Sequence, residues 1–202
     1  MKQVIISIIF IVASTFCIAQ RNVFKGTNNT PLETSAQQTS DINPASYHLI
    51  VEEIRNAAGF ESDFVLKEAK VDNIEASIFH RKKYILYNPE FMKWIDNVTK
   101  DKWATVALLA HEIGHHEKGH TKKKSKRKRL QFELEADEFA GYVLNKMGAS
   151  LEQAQIVMKY IARTTPSHTH PARNDRMNAI HKGWNTANTD SAINETVSTS
   201  LF

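Results

Sequence analysis

Two histidines four residues apart, His111 and His115, flank Glu112 in the stretch His111-Glu112-Ile113-Gly114-His115. Residues four apart on a helix point in nearly the same direction about one turn apart, so both imidazoles leave from one side. That spacing suits two nitrogen ligands on one Zn²⁺, and Glu112 between them is placed to act as a general base. The residues before the motif, Trp103 to Ala110, are apolar on nearly every face, which predicts an internal helix over 102–118. Polar side chains at the end of such a helix cost roughly 1–3 kcal/mol each if buried without a partner. A metal supplies one.

A third ligand is needed. Gly119 and His120 stand one residue out of step with the spacing of a third histidine in metzincin peptidases, and that class is excluded. The remaining source is a carboxylate on a following helix. Glu133 and Asp137 lie on a strongly helical segment predicted over 130–147 and share a face by the same four-residue spacing. Glu133 could bind zinc while Asp137 orients a ligating imidazole. Alone, Glu133, Glu135, Asp137 and Glu138 would read as a solvated acidic face. Following the histidine motif in this order, they read as ligand and supporting group.

HEIGHHEKGH, the later ELEAD, and His170-Pro171 with Arg176 resemble the gluzincin metallopeptidases of the CAAX prenyl protease, HtpX and BepA type, metallopeptidase family forty-eight. The resemblance spans residues 46–184. It implies one zinc per chain on His111, His115 and Glu133, Glu112 as catalytic base, and Asp137 as acidic partner. It also implies that His170 approaches the metal, as oxyanion stabiliser or as a fourth ligand, with Arg176 nearby. His168 competes with His170 but lacks the following proline. No hydrophobic segment follows the N-terminal one, so the small secreted members are the closer comparison. An intramembrane prenyl-protein substrate is not expected.

The elements that must position these groups read as a helix-rich α+β domain with a small antiparallel sheet. Apolar spacing predicts a helix over 46–58, strands over 64–71, 74–79 and 84–87, and a short helix over 90–98. A helix over 151–162 and another short one after Pro171 complete the pattern. Residues 164–169, with Pro166, read as a loop.

Lys2 followed by an apolar run from Val4 to Ile18 reads as a signal peptide over 1–19, cleaved after Ala19; an uncleaved anchor is the lesser alternative. Cleavage removes Cys17, the single cysteine, and with it thiolate ligands and disulfides. Residues 20–45 read as a flexible linker, 46–184 as the metallopeptidase domain and 185–202 as a disordered tail. The chain carries 26 Lys and Arg against 22 Asp and Glu. Seven of those cations stand between Lys122 and Arg129, so the excess is one patch. For an exported protein without interleaved aromatics, that patch suits a solvated loop or an anionic membrane surface rather than nucleic acid. His116 and His120 are expected at the surface or behind the ligands; His48, His80 and His181 are ordinary.

The expected function is an exported zinc endopeptidase, periplasmic or bound to the cell envelope, acting on protein or peptide. The alternative is a chaperone-like or protein-binding module whose zinc is closed off by His170.

Overall fold

The computed structural model describes residues 44–199 other than 62, 123 and 124. The expected signal peptide, Cys17 and nearly all of the expected linker lie outside the described residues. The chain runs α1 (Pro44–Ala58), β1 (Val65–Glu68), β2 (Ile74–Phe79), β3 (Lys82–Tyr87), α2 (Pro89–Thr99) and α3 (Lys102–Glu117). Two 3-10 turns, His120–Lys122 and Lys126–Lys128, lead to α4 (Arg129–Lys146), α5 (Leu151–Gln155), α6 (Met158–Ile161) and α7 (Arg173–Thr199). The α+β class expected from the pattern is the class observed.

Helix α3 is the central rod. Asp101 caps it by accepting from the Trp103 amide at 2.9 Å, and every residue from Ala104 to Gly114 is buried. Its walls are α1, α2, α4 and the sheet, through a core that includes Ile54, Ile85, Met92, Ile95, Leu109, Ile113 and Leu144. Asn88 caps α2 on the Glu90 and Phe91 amides, with Pro89 in the first turn where a missing N–H costs nothing.

Strands β2 and β3 form the expected hairpin, with Ala76 opposite Ile85 and Phe79 opposite Lys82. The turn residues His80 and Arg81 both have positive φ, the backbone hand that matches strand twist in a two-residue hairpin. The sheet is mixed, not antiparallel as expected: its order is β1-β3-β2, and β1 lies parallel to β3 with Leu66 beside Ile85. The hairpin pattern determines only the β2–β3 pairing, while β1 joins the far edge of β3 because that aligns buried Leu66 with buried Ile85.

Two further expectations need correction. Residues 151–162 break into α5 and α6 at Ile156 and Val157, where amides of 159 and 160 bond three residues back and Val157 turns into the core. Residues 185–199 are not a disordered tail but the continuation of α7. Their Asn, Thr and Ser content argues against a free helix, but packing of residues 187 and 188 on α4 anchors the segment. Ala187 is fully buried, and Asn188 accepts from Asn145 at 2.9 Å. The two helices approach to backbone contact: a Cβ on Gly183 would stand 1.8 Å from the Glu138 carbonyl oxygen, and one on Gly141 2.0 Å from that of Ile180. Among the described residues, no helix is long and apolar enough to cross a membrane.

Candidate metal centre

Helices α3 and α4 bring His111, His115 and Glu133 together, their ligand atoms all within 4.8 Å of one another. Nε2 of His111 lies 3.1 Å from Nε2 of His115, and 3.4 Å from Glu133 Oε2. His115 Nε2 lies 3.6 Å from Glu133 Oε1. A tetrahedral ion held at about 2.0–2.1 Å would separate its ligand atoms by about 3.3 Å. The three separations bracket that value. Two ring nitrogens and the two oxygens of one carboxylate thus converge with one ligand atom from each residue within 4.8 Å of the others, a donor set and spacing that fit a metal ion.

The crossing that creates this group depends on Gly114. A Cβ there would meet Ala136 backbone atoms at 3.2 Å and the Phe139 ring at 3.0 Å, so glycine lets α4 lie close against the motif helix.

Behind His111 stands a buried ion pair. Asp137, with no exposed surface, accepts from Arg176 Nε and Nη2 at 2.7 Å each, and its Oδ1 lies 2.9 Å from His111 Nδ1. A carboxylate accepts only, so His111 Nδ1–H is the donor and Nε2 is left to face the centre. Asp137 and Arg176 therefore act on the metal site through His111.

The charges agree with this picture. Burial alone would lower His111, but Asp137 and Glu133 outweigh it and raise its pKa to about 10. The cluster thus favours a positive charge at its middle. Glu133 is pushed up by burial but pulled further down by His111, to about 2, and stays ionised. His115 falls to about 3, through burial and then the nearby His111 charge. Burial also dominates at Glu112, raised to about 7 against the opposing pull of His111. Its Oε2 accepts from the Ala76 amide of β2 at 2.6 Å, which holds it beside the strand.

A cleft of about 1000 Å³ opens over the centre. Its walls include Asn73 and the start of β2 from Ile74 to Ala76, Phe91 and Trp94 of α2, and Met158 and Ile161 of α6. His170 lies on its lining, carried by the expected loop, which closes through a 2.8 Å bond from the Ser167 amide to the His170 carbonyl. Its side chain is half exposed, with Nε2 3.5 Å from Glu133 Oε2 and Nδ1 2.9 Å from Thr169 Oγ1. It is not one of the three residues whose ligand atoms are mutually close.

One neighbour stands behind the ligands, the second of its two expected places. His120, expected at the surface or behind the ligands, is buried and places Nδ1 3.1 Å from His115 Nδ1. Gly119, at φ +69°, turns the chain back at the end of α3. A glycine directly after a helix is the signal that could have revealed that reversal. His116 packs behind the sheet, its Nε2 2.8 Å from the Tyr84 carbonyl oxygen.

No protein-family model, no curated protein and no solved structure matches this chain.

Proposed function

We propose that this chain is an exported zinc endopeptidase of the gluzincin kind, hydrolysing peptide bonds of protein or peptide substrates. The observation that carries the reading is the conjunction of two imidazoles and a carboxylate at tetrahedral separations with a buried glutamate beside them, under an open cleft. The donor set of two His and one Glu, with no thiolate, is one that catalytic zinc sites use while keeping a fourth position open. Zinc held there would polarise a peptide carbonyl and acidify the attacking water.

The chain's own groups divide the remaining work. Glu112, buried beside His111 and held by the Ala76 amide, is placed to take a proton from the attacking water and return it to the leaving nitrogen. Strand β2 is an edge of the sheet, and its Ala76 amide points at Glu112 rather than at a strand. An extended substrate adding to that edge would carry its backbone past the base. His170, at the rim and outside the ligand group, is suited to donate to the developing oxyanion. The exposed cations Lys122, Arg127, Lys128 and Arg129 suit contact with an anionic membrane surface.

The test is cleavage of casein by zinc-loaded wild type and by Glu112→Gln. The reading expects the variant to retain zinc and fold but lose turnover. Equal rates in the two would overturn it. Export is tested separately by the mature N-terminus, expected at Gln20 in an extracytoplasmic fraction.

The closed-module alternative has one supporting distance, the 3.5 Å from His170 Nε2 to Glu133. It predicts no cleavage at any zinc loading.

A further inference from the structure

His115 offers its two ring nitrogens to different neighbours. Nε2 faces His111 and Glu133, while Nδ1 lies 3.1 Å from His120 Nδ1. A neutral imidazole has one N–H and one lone pair, and a metal takes the lone pair. With Nε2 turned to the metal, His115 Nδ1–H donates and His120 Nδ1 accepts. His120 then keeps its own proton on Nε2, which lies 2.7 Å from Glu135 Oε2, an atom that only accepts. The chain His115–His120–Glu135 therefore has one self-consistent set of proton positions with both rings neutral.

Helix α4 supports this chain from one side. The His120 ring stacks on Phe132 with centroids 4.3 Å apart and planes 13° from parallel. Gln131 Nε2 donates to the other Glu135 oxygen at 2.7 Å, one helical turn away. Phe132 and Glu135 of α4 thus both contact one imidazole of the preceding turn, and Gln131 holds Glu135. The arrangement mirrors what Asp137 and Arg176 do for His111, but it is built from a different segment, the 3-10 turn His120–Lys122.

We infer that His120 and Glu135 are positioning residues for His115. They hold its ring in the tautomer and orientation that zinc binding requires, and they strengthen Nε2 as a ligand. Partners of this kind are worth about 10–100-fold in metal affinity. The inference rests on the metal centre proposed above but not on peptide hydrolysis, because its readout is zinc affinity without turnover.

Two substitutions separate positioning from mere packing. His120→Phe keeps the aromatic stack on Phe132 and deletes both nitrogens. His120→Asn loses the ring but keeps an acceptor near the Nδ1 position. A packing role makes Phe the better replacement; a positioning role makes Asn the better one. Zinc dissociation constants are measured by competition with a chromophoric chelator, with thermal melts confirming the fold. The expected result is zinc binding weakened by about tenfold or more in His120→Phe and substantially recovered in His120→Asn. A smaller loss in His120→Phe, or weaker binding in His120→Asn than in His120→Phe, overturns the inference.

If His120→Phe does not fold, Glu135→Ala decides, because the Glu135 side chain is 37% exposed and its removal does not empty the core. A loss of about tenfold or more supports positioning, and anything less overturns it. Wild type that binds zinc but cleaves nothing would sink the peptidase reading alone. Wild type that binds no zinc would sink both.

Discussion

Replacing Asp137 with alanine should separate two roles that the structure gives one carboxylate. Asp137 holds the Arg176 guanidinium through two bonds of 2.7 Å and orients His111 through a third contact of 2.9 Å. Both charged partners are buried, Asp137 completely and Arg176 to all but 5%. Removing the acid leaves a buried arginine without the carboxylate that holds it. Breaking such a pair from one side costs about 3–5 kcal/mol. For a domain of this size each kcal/mol moves the melting temperature by about 2–4 °C, so Asp137→Ala should lower it by about 6–20 °C. The double variant Asp137→Leu/Arg176→Met removes the stranded charge and fills its space, and it should be more stable than Asp137→Ala. Zinc affinity should not recover with it. His111 remains without its acceptor in both variants, and each should bind zinc about 10–100-fold more weakly than wild type. Thermal melts and chelator competition on the three proteins read the two effects. A melting temperature for Asp137→Ala within 2 °C of wild type, about the effect of 1 kcal/mol, would refute the reasoning, as would additive losses in the double variant.

Other perturbations test other parts of the molecule. Gly183→Ala gains about 1 kcal/mol of helix propensity but drives a methyl to 1.8 Å from the Glu138 carbonyl oxygen. With the helices forced apart, a net loss of about 2 kcal/mol is expected; an unchanged or raised melting temperature would contradict the backbone contact. Burial, and then Asp96, raises the Tyr47 phenol from 10.0 to about 12. The folded state therefore holds that proton more tightly than the unfolded one, and stability should fall as pH climbs from about 10 to about 12. Tyr47→Phe should make that decline shallower without abolishing it, because Tyr87 and Tyr142 are raised too; an identical slope would count against it. His170→Ala should keep zinc and lower kcat by roughly 10²–10³-fold if this histidine donates to the oxyanion. A rise in rate would instead mean that it closes the metal site.

How much of this could be read from the residues alone depends on how local the cause is. Helix α3 was legible to within a residue because Ala104 to Gly114 are buried on every face, leaving no period to misread. The grouping of His111, His115 and Glu133 followed from two short helical spacings, which survive whatever the rest of the fold does. What escaped reading arises between elements. The parallel partnership of β1 with β3 is decided by where Leu66 can be buried. The helix beyond residue 185 exists through contacts with α4, such as Asn188 with Asn145, against its own polar composition. The close crossing of α4 and α7, where Gly141 and Gly183 each have a carbonyl for a neighbour, has no signal within either helix. For His120 the residues left two places open, the surface or behind the ligands, and the left-handed Gly119 decides between them by reversing the chain so that the imidazole stands behind His115.

The central claim is that the metal group performs peptide hydrolysis, and a zinc titration of activity tests it most directly. Purified protein is stripped of metal and zinc is restored in steps, while casein cleavage and bound metal are measured on the same samples. The account predicts no cleavage without zinc, a linear rise with bound metal, and saturation at one zinc per chain. Full occupancy without cleavage, or cleavage that persists after the zinc is removed, would contradict it.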